Sequence, residues 1–299
     1  IGAHPTDRYL VRMPCPPDAP AAPGADATAI DIDDPSDPRL DDFRDLNSVD
    51  RRPDLPSGRG LVIAEGVLVV QRMLASRFIP HALLGTQRRF DELAETLAAA
   101  NRPELPYYRV DAEVMAEVVG FHLNRGVLAA ARRPPVLGPA ALLARARTVA
   151  VLEGVNDHEN LGSIFRNAAG LGVDAVLFGP GCADPLYRRA VRVSMGHVLL
   201  VPFGRAPDWP GGLTMLREHG FTLLAMTPGP GSVPLAEAMT GAAEARVAIL
   251  VGAEGPGLTE TAMRAADARV RIPMSRGTDS LNVATAAALA FYERVRVGS

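Results

Sequence analysis

Lysine does not occur in this sequence: all 31 basic residues among its 299 are arginine. Selection for phosphate contacts alone would not remove every lysine, so the absence reads first as a coding bias. Cysteine is nearly missing too. Cys15 and Cys182 are the only two, and neither has a C-x-x-C or histidine-rich neighbourhood. That argues against a disulfide framework or a zinc site, so no metal is expected, and it fits a reducing cytoplasm. No apolar run reaches the roughly 18 residues of a membrane span. The first residues (IGAHPTDRYLVRM) lack the apolar core of a signal peptide, and Met13 is a candidate natural start. Common catalytic motifs are absent as well: no Walker loop, no G-x-S-x-G, no H-E-x-x-H, and no G-x-G-x-x-G after the first strand of the C-terminal half. Gly229-Pro-Gly231 and Gly255-Pro-Gly257 put proline where a phosphate-binding turn would need N–H groups.

What is present is a globular composition, 47% hydrophobic, long enough for one large or two ordinary domains. The net charge of −3 hides an asymmetry: residues 1–50 hold eleven Asp against four Arg, so the remainder is mildly basic. Nucleic acid is thereby permitted as a partner but not required. The segment 1–55 is acidic and Pro-rich; residues 1–28 read as disordered, and Leu40, Phe43 and Leu46 follow at helical spacing.

Residues 56–134 alternate strand and helix patterns and describe a small α/β/α unit. Its strands are expected near Leu61–Ala64, Ala82–Leu84, Tyr107–Val110 and Val127–Ala131. Arg88, Arg89, Arg125, Arg132 and Arg133 are candidates for an RNA-facing patch, against the alternative of a solvated charged face. A linker is expected over 135–146, and a second α/β domain over 147–299. Its short apolar runs, without alternation, suit a buried parallel sheet: Thr148–Leu152, Ala175–Phe178, Leu199–Pro202, Thr222–Ala225, Val247–Val251 and Val270–Ile272.

Three polar stretches follow strands of that second domain: Asn160-Leu-Gly-Ser-Ile-Phe-Arg166-Asn167, Gly252-Ala-Glu254-Gly255, and Ile272-Pro-Met274 running to Ser280-Leu281-Asn282-Val283. Open α/β sheets place ligands where such loops leave strand ends, so the three point to one site.

In their order and spacing these motifs resemble the SpoU (TrmH) family of RNA ribose 2′-O-methyltransferases, of the SPOUT superfamily, over residues 148–299. The small unit also resembles the substrate-binding domain that many members carry in front. The resemblance implies an α/β fold whose C-terminal parallel-sheet domain forms a deep trefoil knot, a homodimer, and S-adenosylmethionine held largely by backbone groups. By match, Gly252, Ile272 and Leu281 offer that backbone, with Thr227 and Met274 lining the pocket. Ordinary core packing is the alternative for Ile272, Met274 and Leu281.

Methyl transfer to a ribose hydroxyl needs in-line positioning and relief of the hydroxyl proton. The motifs hold no histidine. Arg166 has small neighbours on its helix face and stays protonated, so it is expected to clamp a phosphate whose oxygen takes the proton; base catalysis by Arg166 itself is the less favoured variant. Asn160, Ser280 and Asn282 would orient the ribose, and Glu254 would brace the loops, with plain capping as the alternative for Glu254 and Asn282. The expected substrate is 23S ribosomal RNA, by analogy alone. A tRNA 2′-O-methyltransferase, a base or small-molecule methyltransferase, and a non-catalytic RNA-binding or ribosome-assembly protein stay open. The C-terminal helix, with Ala287, Phe291 and Val295 on one face, is expected in the dimer contact. Arg276 stands in the last loop with no assigned role.

Overall fold

The computed structural model describes residues 29–47, 60–275 and 278–297. The expected disorder of 1–28, Cys15 and Arg276 fall outside them. The chain divides into two compact units, one comprising Leu10–Pro135 with Leu186–Leu200, the other chiefly Val136–Pro185 and Val201–Ser299.

The smaller unit is built on a five-stranded sheet. Its strands are β1 (Ala29–Asp31), β2 (Leu61–Glu65), β3 (Pro80–Gly85), β4 (Tyr107–Arg109) and β5 (Val127–Arg132), in the order β1-β4-β3-β5-β2. Strand β5 runs antiparallel to β2 and β3, while β1, β4 and β3 are parallel. Helices α1 (Val67–Leu74), α2 (Gln87–Ala100) and α3 (Ala112–Val119) connect the strands. Asp111 caps α3 by accepting from Glu113 N and Val114 N, the role short acceptor side chains take at helix starts.

Residues 29–47 of the acidic segment join this fold. Ala29–Asp31 pairs along β4 as an edge strand, and Leu40, Phe43 and Leu46 are buried with Ile63, Leu84 and Met115. The five candidate arginines do not form one patch. Arg125 precedes β5 whereas Arg132 ends it, so the length of the strand separates them. Arg88 and Arg89 are both engaged by Glu92.

A seven-stranded, all-parallel sheet organises the larger unit, in the order β10-β12-β9-β11-β6-β7-β8. The strands are β6 (Thr148–Leu152), β7 (Ala175–Phe178), β8 (Phe203–Arg205), β9 (Phe221–Met226), β10 (Val233–Pro234), β11 (Arg246–Val251) and β12 (Ala268–Arg271). Strands β6, β7 and β11 are almost wholly buried, which is why their sequences are apolar without alternation.

Three expectations change. The run Leu199–Pro202 is not a strand: a 3-10 turn covers His197–Leu199 and β8 follows at Phe203. Val198 and Leu199 are apolar because they are buried, not because they pair in a sheet. They belong to the segment Leu186–Leu200, which carries helix α6 (Arg188–Val193) and folds with the smaller unit. The stretch 135–146 holds helix α4 (Pro139–Leu143), whose Leu142 and Leu143 enter the larger unit's core.

Beyond α7 (Gly211–Glu218) and α8 (Leu235–Ala238), the last helix, α10 (Val283–Val297), buries Ala287 and Phe291 completely within its own chain. Those two residues are therefore not available as a contact face; the apolar side chains α10 leaves exposed are Leu289, Tyr292 and Val295. Its Arg294 is buried and donates to Thr148 Oγ1 and to the carbonyls of Ala242, Ala243 and Ala245. Burial pushes that guanidinium below its usual range. Among the described residues no helix is long and apolar enough to cross a membrane.

Candidate active site

The site lies at the C-terminal ends of β6, β9, β11 and β12, where a parallel sheet presents its loops. Helix α5 (His158–Gly170) leaves β6 and begins at Asp157, whose side chain accepts from Glu159 N and Asn160 N. Phe165 anchors the helix from below, its ring 6.1 Å from Phe178 and 5.7 Å from Phe203. With Phe165 fixed, its neighbour Arg166 is held on the exposed side. Among the described residues Arg166 has no ion-pair partner.

Three side chains close into a triangle. Asn160 Nδ2 donates to Glu254 Oε1 at 3.0 Å, and Asn282 Nδ2 donates to the same oxygen at 3.0 Å and to Asn160 Oδ1 at 2.7 Å. Asn282 also accepts through Oδ1 from Ala284 N and Thr285 N, so it caps α10 while bracing the triangle. Asn282 is therefore a helix cap, the alternative reading of this residue, and at the same time a tie to Asn160 and Glu254. A second tie links the same two helices: Asn167 Nδ2 donates to Ala284 O at 3.1 Å.

Beneath the triangle lies a cavity of about 370 Å³, within the range of small-molecule sites. Thr227, Gly252, Ile272, Met274 and Leu281 all line it, together with Glu254, Ser280 and Asn282; Asn160 and Arg166 do not. Ile272, Met274 and Leu281 are only partly covered, so none is a plain core residue. Thr227 turns its hydroxyl back to accept from Gly229 N, and its own N–H donates to Val270 O.

The glycines decide the cavity's shape. A Cβ at Gly252 would stand 2.2 Å from Gly257 C and Leu258 N, because the turn folds back onto its own start and Gly257 N donates to Ala253 O. Gly255 and Gly257 have φ of +86° and +72°, the left-handed region that favours glycine. Along this turn the cavity wall therefore lacks side chains at Gly252, Gly255 and Gly257.

Glu153 and Asp157 are functional supports that the motif reading passes over. Glu153 is buried at the end of β6 and accepts from Trp209 Nε1 (2.6 Å), Thr259 N (2.9 Å) and Thr259 Oγ1 (2.9 Å). Thr259 in turn caps helix α9 (Glu260–Ala265), so the Gly252–Leu258 turn is pinned just beyond its C-terminal end. Asp157 carried a readable signal, an acceptor side chain immediately before a helical pattern. Glu153 carried none, since its partners are 56 and 106 residues away. Among the described residues no cluster of His, Cys, Asp and Glu could hold a metal ion.

Comparison with known proteins agrees with this geometry. The SpoU rRNA Methylase family matches residues 147–292. An uncharacterized tRNA/rRNA methyltransferase of Mycobacterium bovis is 72% identical over 268 residues, covering 90% of this chain and 92% of its own length. The 23S rRNA (guanosine-2′-O-)-methyltransferase of Vibrio vulnificus is 32% identical over 147 residues, 49% of this chain and 58% of its own. The crystal structure of an AdoMet-bound rRNA methyltransferase from Sinorhizobium meliloti superposes with a TM-score of 0.71 at 25% identity, over 90% of this chain and 98% of that one. The three motifs, the parallel sheet that presents them and these likenesses place the chain in the SpoU rRNA methylase family of RNA methyltransferases.

Proposed function

We propose that the chain transfers a methyl group from S-adenosylmethionine to the 2′-hydroxyl of a ribose in RNA, with 23S ribosomal RNA as its substrate. The observation that carries this reading is the pairing of a cavity bordered by the Gly252–Gly257 turn with the Asn160–Glu254–Asn282 triangle; on the helix that carries Asn160, Arg166 stands exposed with no ion-pair partner among the described residues. The cavity suits the cofactor. Adenine is recognised by N–H and C=O groups, and Gly252, Gly255 and Gly257 line the cavity without side chains. Gly252, Ile272 and Leu281 would hold it through backbone, with Thr227 and Met274 against its faces. When bound, S-adenosylmethionine supplies an electrophilic methyl group.

The remaining work falls to side chains of this chain. Arg166 clamps a substrate phosphate through its planar fork, and an oxygen of that phosphate takes the hydroxyl proton. Asn160 and Asn282 spend donors on Glu254, which fixes the amides that border the ribose. Ser280, exposed on the rim of the cavity, is placed to orient the same sugar. In this reading the C-terminal segment of the larger unit passes through the trefoil knot that the family resemblance implies, and the exposed side of α10 forms the homodimer contact. A cytoplasmic location accords with two cysteines and an RNA substrate.

The test is to incubate the protein with labelled cofactor and total bacterial RNA and to map the modified nucleotide. One 2′-O-methylated ribose in 23S RNA is expected. A methylated base, or label found only in tRNA, would overturn the assignment.

A further inference from the structure

We propose that the smaller unit carries a binding site for RNA backbone phosphate, made by Arg125 and Arg192 around the buried carboxylate of Glu65. The proposal rests on RNA being the substrate, but none of its residues is among those that line the cavity.

Glu65 ends β2, and its side chain is only 5% exposed. A buried carboxylate requires a charged, hydrogen-bonded partner. Arg188 meets that need alone. Its Nη1 donates to Glu65 Oε2 at 2.8 Å, Nη2 reaches Leu46 O and Asn47 Oδ1, and the guanidinium lies 5.1 Å from the centre of the Phe121 ring.

Arg125 and Arg192 are therefore surplus to Glu65. Each approaches Glu65 Oε1 at 3.9 Å, beyond hydrogen-bonding range, while remaining 42% and 39% exposed. Neither has another ion-pair partner among the described residues. Three guanidinium groups thus surround one carboxylate, and the two exposed ones flank the same oxygen. Their mutual repulsion is relieved when an anion bridges them, and they stand near enough for one phosphodiester to engage both.

The backbone adds to the same charge. The stem of Arg125 lies across Gly66, where a Cβ would stand 3.0 Å from Arg125 Cδ. Gly66 begins α1 and supplies no side-chain cap, so the positive end of that helix opens beside Arg125. Guanidinium forks next to an uncapped helix start suit the oxygens of a phosphate. Arg192 comes from α6, on the segment Leu186–Leu200, so the site is complete only when that segment is folded onto the smaller unit.

The experiment uses the full chain with Arg125→Ala, Arg192→Ala, the double variant and both Arg→Lys changes. Arg217→Ala, which breaks an exposed ion pair with Asp267 in the larger unit, is the control. Binding of transcribed 23S ribosomal RNA is followed against potassium chloride concentration, with cofactor affinity by calorimetry on the same samples. Each alanine variant should weaken RNA binding about tenfold and lower the salt slope by about one. Because the two side chains share one phosphate, their losses do not simply add, and the double variant should bind at least as weakly as the weaker single variant. Lysine should restore the slope, the control should bind as wild type, and cofactor affinity should not move. A double variant with wild-type RNA affinity and slope overturns the site. If that variant still methylates RNA with an unchanged KM, the site falls while the proposed reaction stands. If RNA binds through these arginines but is never methylated, the reaction falls and the site stands.

Discussion

Asn160 and Asn282 lie 122 residues apart in the chain and meet through a 2.7 Å hydrogen bond. The bond joins the first turn of α5 to the N-cap of α10, and Glu254 Oε1 accepts from both amides at 3.0 Å. Because one residue caps a helix and also braces the site, the two roles can be separated by substitution.

Asn282→Ala should remove both, costing about 1 kcal/mol of stability through the lost cap together with most methyl transfer. Asn282→Asp keeps an acceptor for Ala284 N and Thr285 N but sets a second carboxylate against Glu254. It should melt closer to wild type than the alanine variant does and still lose activity. Full activity in Asn282→Asp would show that the amide serves only as a cap.

Gly252→Ala tests the cavity. The added Cβ meets backbone atoms at 2.2 Å, and backbone cannot swing aside as a side chain does, so the turn from Gly252 to Leu258 must open. Overpacking of this kind costs about 1–3 kcal/mol, and cofactor affinity should fall about tenfold or more by calorimetry. Wild-type affinity would mean that the turn yields without reaching the cavity.

Much of this was legible in the sequence, and the reason is local. Strands β6, β7, β9 and β11 are buried apolar runs, and the cavity residues Thr227, Gly252, Glu254, Ile272 and Met274 follow β9, β11 and β12 within three positions of the strand end. Leu199–Pro202 misled because burial against a helix and burial in a sheet produce the same apolar run. Ala287 and Phe291 misled for a related reason: a 3.6-residue period marks a covered face but not which surface covers it. Glu153 was silent, since a buried acceptor is recognised only through donors brought in from Trp209 and Thr259. Glu254 was expected to brace the loops, but the single oxygen that Asn160 and Asn282 share could not be read from residues so far apart in the chain.

Glu153→Gln should be costly although nearly isosteric. Its two oxygens accept from Trp209 Nε1 and from Thr259 N, so whichever way the amide turns, its NH₂ faces a donor. An unsatisfied buried donor costs about 1–3 kcal/mol, measurable as a lowered denaturation midpoint with an unchanged slope. A midpoint equal to wild type would show that the carboxylate is dispensable.

The exposed side of α10 gives the assembly test. Leu289 is 40% and Tyr292 56% exposed, one helical turn apart. Light scattering should find the mass of two 31.6 kDa chains, and Leu289→Arg with Tyr292→Arg should reduce it to one. A wild-type monomer at micromolar concentration, or a double variant that stays dimeric, would remove α10 from the interface.

Arg166 offers the sharpest division of labour. It stands on α5, does not line the cavity, and has no ion-pair partner among the described residues, whereas every residue expected to touch the cofactor lines that cavity. Arg166→Ala should therefore abolish methyl transfer and leave cofactor affinity nearly unchanged. Losing a charge-assisted phosphate contact costs about 1.5–3 kcal/mol, and a hydroxyl displaced by about 1 Å can cost a further 100-fold in rate. Arg166→Lys should recover little, since an ammonium offers a point charge without the planar fork. Calorimetry for the cofactor and single-turnover methylation on the same preparations separate the two effects. Parallel loss of both would mean that Arg166 helps build the cavity after all, through the α5–α10 contact that Asn167 makes with Ala284, and the phosphate clamp would have to be sought elsewhere.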